Sequence, residues 1–453
     1  MEQFVVDRLR ESLVDRVTTA EDSAYDEVRT TFNATVSRRP AVIVRARSED
    51  DVVTAVVAAT DLGLPIAIRG GGHSVAGHGM ADAALVVDMR EMREVTVDPK
   101  TRTVRVGGGA LWEDLDSAAW AHHLAVVGGT FGDTGVAGLT LGGGIGWLSG
   151  LQGFTCDNLI RAEVVTAAGD KVVAGPDGDP DLLWALRGGG GNFGVVTTFE
   201  FRAVDPGPIL AGHLLFPLSA MKQVLRHLNE LAETAPPELV TMASVGPHGD
   251  DPNPATTISV GVCWPGQASV EPDALRRLRT ALPVLEDTLT AMTYPEVQEL
   301  AGRLPFGLRH YWKGHFLRTM DESVIGGLVE SMATRPDSHS LILLETIRGA
   351  AHVEPEGGAA FGQRAATWNA SALAIWDDPS RDDEHVAWAR ATADRMAFGS
   401  LSGAGYANYA PVDESIERVR LAFGTEPFAR LAAIKARYDP GNLFRFNQNV
   451  APG

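Results

Sequence analysis

Cysteine is nearly absent from this chain. Cys156 and Cys263 are the only two and lie far apart, which excludes a disulfide framework and a thiolate zinc site and points to a reducing cytoplasm. Long apolar runs are missing as well: no segment approaches the roughly 20 apolar residues of a membrane span, and residues 1–10 mix acids and arginines among apolar residues, unlike a secretory signal. Positive charge is scarce. Lysine and arginine number 39 against 58 acids, and the formal charge of −19 repels phosphate backbones and acidic membrane surfaces, so neither nucleic acid nor a membrane is an expected partner. There is no G-x-x-x-x-G-K-[ST] loop to hold a nucleotide and no G-x-S-x-G elbow to carry a nucleophilic serine. His122 and His123 are adjacent and point apart, so no metal site is expected.

What the chain does have is length and glycine. With 453 residues and 45% hydrophobic content it exceeds the size of a usual single core, so two domains or one unusually large one are expected. Residues 41–44 read as a strand, followed by a helix that Ser48 and Asp51 cap and Gly63 ends, then a strand at 65–68, which is an α/β opening. Hairpins are expected around Pro99-Lys100 and across Ala168-Gly169-Asp170, and a helix over 428–438 stops at Asp439-Pro440-Gly441.

Glycines gather in three segments, 69–79, 128–146 and 188–194. Backbone with no Cβ can approach a ligand closely, and its N–H groups form nests for phosphate oxygens, to which Arg69 adds charge. Residues 189–194 fit the letters G-x-G-x-x-G, but a helix precedes and a strand follows, the reverse of the dinucleotide fingerprint. Together the three segments suit a ligand much longer than a phosphate, and a dinucleotide is the natural reading.

The arrangement resembles the berberine-bridge-enzyme-like FAD-linked oxidases of the vanillyl-alcohol-oxidase superfamily. The resemblance rests on Arg69-Gly70-Gly71-Gly72-His73-Ser74, the run from Thr134 to Leu148, Asp157-Asn158-Leu159, Arg187 to Val195, Tyr438 to Arg445, and Asn447-Gln448-Asn449, in that order over nearly the whole chain. It implies an α+β, two-domain fold of the PCMH type: an amino-terminal helical segment 1–37, an FAD domain 38–207, a substrate domain 208–400 of antiparallel sheet covered by helices, and a segment 401–453 returning to the FAD domain. It implies that FAD meets Arg69, Gly70, Gly71, Gly72, Ser74, Gly77 and His78, then Gly129, Thr130, Thr134, Gly135, Gly138, Leu139, Gly142, Gly143, Gly144 and Gly146. Asn158, Gly194, Val195, Asn447 and Asn449 complete the implied set. His73 is the implied covalent anchor, through a ring nitrogen to the flavin 8α-methyl carbon. Many members add a cysteinyl bond at the position that Phe131 holds here, so a single link is expected.

Tyr406-Ala407-Asn408-Tyr409 resembles the family's Y-x-N-Y segment, which makes Tyr409 the first choice of catalytic base, with Tyr406 beside it. A phenol, with its ordinary pKa near 10, needs tuning to accept a proton at neutral pH. Lys313 is the expected cation, since strand alternation sets Tyr311, Lys313 and His315 on one face; the competing reading is a solvated face with tyrosines packed as core. Asp133 either tunes the flavin site or caps a turn. Glu345, a carboxylate on an apolar strand, either faces substrate or pairs with Arg348 or another arginine. The implied activity is hydride transfer from an alcohol, lactol or amine to FAD, with dioxygen as acceptor and peroxide as product, in secondary metabolism. An oxygenating enzyme of polyketide-like substrates, a dehydrogenase serving a protein partner, or a non-catalytic flavoprotein are the alternatives.

Overall fold

A computed structural model describes residues 2–248, 255–266, 269–336 and 339–453. The amino-terminal segment is helical only at Glu2–Ser12 and Tyr25–Val28, with the short strand β1 (Val17–Thr18) between. The Ser48 hydroxyl accepts the Asp51 amide while the Asp51 carboxylate accepts the Ser48 amide, which starts the helix Glu49–Leu62, and Gly63 at φ 65° ends it. That helix carries β2 (Val42–Arg45) over to β3 (Ile66–Arg69), and both pair in parallel with β4 (Leu85–Asp88), giving the order β1-β2-β4-β3. Every residue of β4 is buried, as a strand covered on both faces requires.

A second sheet is wholly antiparallel. Its strands β5 (Val95–Asp98), β6 (Thr103–Gly107), β7 (Leu159–Val165), β8 (Lys171–Ala174) and β9 (Val195–Arg202) run in the order β5-β6-β9-β7-β8. The glycine segments leave β3, follow the helix Trp112–Trp120 and precede β9, so the two sheets present all three loops to one crevice.

The third sheet holds eight strands: β10 (Ile209–Pro217), β11 (Val240–Pro247), β12 (Thr256–Pro265), β13 (Glu286–Asp287), β14 (Thr290–Met292), β15 (Arg309–Leu317), β16 (Leu341–Thr346) and β17 (Trp368–Trp376). The helices Met221–Thr234, Asp273–Ala281, Glu322–Ala333 and Asp382–Met396 cover one face, where Leu228, Leu328 and Trp388 pack on Phe216, Val260, Ile342 and Leu344. Period-two alternation then turns Leu341, Leu343 and Glu345 of β16 to the other face. Across that face the register lines up Phe316, Asn369, Glu345, Met242, Gly261 and His213. The chain finally returns through the helix Thr425–Tyr438, and Phe444 bridges Ile66 at the edge of β3. Among the described residues no helix is long and apolar enough to cross a membrane.

Candidate active site

Two glycine loops cross backbone to backbone. A Cβ on Gly71 would fall on the Gly135 nitrogen, and one on Gly135 would fall on the Gly71 nitrogen, so neither position tolerates a side chain. Beside the crossing opens a cavity of about 1600 Å³ of atom-free space, partly open to solvent. Arg69, Gly70, Gly71, Gly72, His73, Ser74 and His78 line it from the first loop, and Gly129, Thr130, Phe131, Thr134, Gly135, Gly138, Leu139 and Gly142 from the second. Gly194, Asn447, Tyr406 and Tyr409 complete the wall among the expected residues.

The third loop and the carboxy-terminal return are locked together by buried polar groups. Asn192 donates to Gly189 O and accepts the Val450 amide, while Lys435 Nζ donates to Asn192 O, Phe444 O and Asp439, all within the interior. Lys435 and Asp439 are both wholly buried, and burial pulls the lysine down from its usual pKa while Asp439 opposes that shift.

The wall fits FAD. A Cβ at Gly138 would meet nothing within 4 Å, leaving an open cradle, and the buried polar atoms His73 Nε2 and Asn447 Oδ1 have no hydrogen-bond partner.

Several expected contacts resolve differently. The Arg69 guanidinium donates to Val28 O and Thr30 O at 2.6 and 2.7 Å, so two of its nitrogens clamp the amino-terminal segment while Nε has no partner; burial lowers its pKa to about 10. Asn158 stands behind the wall, donating to Gln152 O and Phe154 O. Gly77, Gly143 and Gly144 pack against Val36, Phe361 and Thr155, and Gly146 sits where a Cβ would strike Gly128 O, so these glycines serve backbone packing outside the lining. Val195 is buried in the core beneath β3, and Asn449 is likewise outside the lining.

The tyrosine pair closes the cavity. Tyr406 is a strut: its hydroxyl accepts the Gly144 amide and the Asn408 side chain, both at 2.9 Å. Tyr409 packs edge-on to Tyr406 and to Trp312, with ring centroids 4.9 and 5.2 Å apart. Its hydroxyl donates to Glu345 Oε1 at 3.2 Å, and Asn369 donates to Glu345 Oε2 at 2.6 Å. Burial pushes the Tyr409 phenol well above its usual pKa, with the Glu345 charge adding to the rise. Burial likewise lifts the Glu345 carboxyl to about 7, against the pull of the Asn369 and Tyr409 hydrogen bonds.

Lys313 is not the cation beside Tyr409. Tyr311, Lys313 and His315 do share a face, but it is the one turned away from the cavity: Lys313 pairs with Glu414 at 3.2 Å, Tyr311 with Asp413, and His315 with Ser400. The opposite face presents Trp312 to the cavity. Alternation fixes which residues go together and leaves open which side they take. Nor does Glu345 pair with Arg348, whose guanidinium donates to Ala235 O and Leu239 O.

Some contributors carry no sequence signal of their own. Phe32, in the segment expected to be helical, stacks on the His73 ring at 4.1 Å, and Asn33 donates to Val75 O and His310 O. Gln448 and Asn408 line the cavity too, each inside a motif, Asn447-Gln448-Asn449 and Tyr406-Ala407-Asn408-Tyr409.

A family model described as an FAD binding domain matches residues 40–175, and one described as berberine and berberine like matches 405–451. The (R)-6-hydroxynicotine oxidase of Paenarthrobacter nicotinovorans is 31% identical over 97% of this chain and 97% of its own length. Among solved structures, 6-hydroxy-D-nicotine oxidase from Arthrobacter nicotinovorans superposes with a TM-score of 0.85 at 29% identity, covering 97% of this chain and 98% of its own. A glucooligosaccharide oxidase from Acremonium strictum shares the fold with a TM-score of 0.85 at 23% identity, over 99% of each chain. With its flavin loops, tyrosine pair and returning tail in one crevice, the chain belongs to the berberine-bridge-enzyme-like FAD-linked oxidoreductases of the vanillyl-alcohol-oxidase superfamily.

Proposed function

We propose that this enzyme is an oxidase that removes a hydride and a proton from an alcohol, lactol or amine-type small molecule in secondary metabolism, with dioxygen as acceptor and hydrogen peroxide as product. The observation that carries the reading is the Tyr409 to Glu345 hydrogen bond at the end of the cavity. When bound, FAD would supply the two-electron redox chemistry. Tyr409 is a neutral phenol at rest, so it acts by relay: as its oxygen takes the substrate proton, its own proton passes to the Glu345 carboxylate. A carboxyl with a pKa near 7 is matched to that task at neutral pH. Asn369 holds Glu345 in place, and Trp312 supplies an apolar wall against which a planar substrate can lie.

Residues 38–207 and 401–453 form the FAD unit in this reading, and 208–400, with the eight-stranded sheet, form the substrate unit. Gly70 to Gly72, Thr134 and Gly135, and Asn447 hold the cofactor by backbone and amide contacts. His73 carries its single covalent link, and Phe131, which lines the cavity, has no sulfur to add a second. Two buried free cysteines suit a reducing cytoplasm. The test is a panel of alcohols, reducing sugars and amines screened for peroxide. Turnover by wild type that is lost in Tyr409→Phe supports the reading; oxidation without peroxide, or a fully active Tyr409→Phe, contradicts it.

A further inference from the structure

The second glycine segment sets a carboxylate against the flavin-anchoring histidine. Asp133 Oδ1 lies 3.8 Å from His73 Nε2, with both side chains about 10% exposed, and neither atom has a hydrogen-bond partner. The imidazole cannot turn away freely. It stacks on Phe32 at 4.1 Å and 16°, with Phe306 edge-on at 5.7 Å, and His310 closes the far side of Phe32 at 4.2 Å. Burial lowers the His73 pKa, opposed by the Asp133 charge and by a hydrogen bond between the ring and its own backbone, and His310 is held neutral with a pKa of about 4. A neutral imidazole carries one N–H. A carboxylate facing Nε2 favours the tautomer with that N–H on Nε2, which makes Nδ1, the nitrogen nearer the residue's own backbone, the one with a lone pair.

We propose that Asp133 is the residue that prepares His73 for flavin attachment, fixing Nδ1 as the nucleophile and accepting the Nε2 proton as the bond forms. This rests on the covalent reading of His73 given above. Attachment forms one N–C bond to the flavin 8α carbon and breaks one C–H and one N–H bond. The two electrons and two protons released end on dioxygen as hydrogen peroxide, and Asp133 holds the N–H proton on the way. The turn-capping alternative for Asp133 finds no support in its Oδ1, which caps nothing.

The experiment uses the full chain as expressed. Wild type, His73→Ala, Asp133→Asn and Asp133→Glu are denatured, and intact mass and in-gel flavin fluorescence report the fraction of protein carrying flavin. Each is then incubated in air with added FAD, and the remaining attachment is followed in time. The inference expects Asp133→Asn to hold FAD without a bond, with an ordinary oxidised-flavin spectrum, and to attach it slower by roughly two orders of magnitude, as loss of a general base does. Asp133→Glu should restore much of the rate. Should Asp133→Asn fail to fold, Asp133→Ala with added formate decides: attachment that depends on formate supports the role, which a purely structural part would not produce. Attachment at the wild-type rate in Asp133→Asn, or without formate in Asp133→Ala, overturns the inference. Flavin-free wild type after denaturation, or labelled His73→Ala, instead overturns the covalent reading itself, so the two failures are distinguishable.

Discussion

In the proposed relay, the chemistry at Tyr409 and Glu345 turns on a single proton. Burial raises both groups, so the resting pair is a phenol hydrogen-bonded to a carboxylate that ionises near pH 7. The acceptor must be ionised, hence kcat/KM should be low in acid, rise through about pH 7 and level off above it. In Glu345→Gln that limb should vanish, with kcat/KM lower by about 10²–10⁴-fold, the usual worth of general base catalysis; pH profiles of the two proteins check this. Stability runs the other way. Because the folded pKa of about 7 lies above the ordinary 4.5, Glu345 favours the fold below pH 4.5 and loses that contribution as pH rises through 7. Glu345→Gln should therefore melt higher relative to wild type at pH 8 than at pH 5, as thermal scans at the two pH values would show. Lys313 pairs with Glu414, so Lys313→Met should leave the pH limb of kcat/KM where it is. Tyr409 was legible in the sequence because its Y-x-N-Y string is local. Glu345 stands out as a carboxylate on an apolar strand, but its pairing with Tyr409 and Asn369 does not: the register of β16 and β17 sets Asn369 beside it, and no spacing along the chain encodes that.

Among the elements, the loops are held by what they cannot accommodate and by what the tail supplies. Gly71→Ala should prevent the crossing with Gly135, and the expected result is protein that either fails to accumulate or binds no flavin, read from yield and visible absorbance. Lys435 and Asp439 pin the tail to the third loop inside the core. Lys435→Met strands the Asp439 charge, and breaking a buried pair in this way costs about 3–5 kcal/mol, visible as a lowered urea midpoint at unchanged slope. The ends of the helix Glu49–Leu62, the stop at Asp439 and the capping box at Ser48 were readable because each depends on neighbours within a turn, whereas the last helix begins at Thr425, ahead of the expected 428. The face of β15 was not, because alternation has two solutions and only packing against Glu414 and Asp413 selects one. The glycines at 143, 144 and 146 look like cofactor positions in the sequence, yet they serve close packing against Phe361, Thr155 and Gly128.

Over the whole molecule, a parallel βαβ unit, an antiparallel five-stranded sheet and the returning tail enclose one crevice, and the eight-stranded sheet sets the buried Glu345 behind Tyr409 of its wall. The segment 1–37 belongs to this assembly through Phe32 beneath His73 and the carbonyls that hold Arg69. Its aromatic and carbonyl groups carry no motif, which is why the sequence shows it only as a helical lead. In the proposed function, relay, flavin loops and tail together make a site that should return its electrons directly to dioxygen. The most direct test is to reduce the purified holoprotein without air, mix it with air-saturated buffer, and follow flavin absorbance while measuring peroxide. An oxidase reoxidises within seconds and yields one peroxide per flavin; a flavin that stays reduced in air until an electron-accepting protein is added would contradict the account.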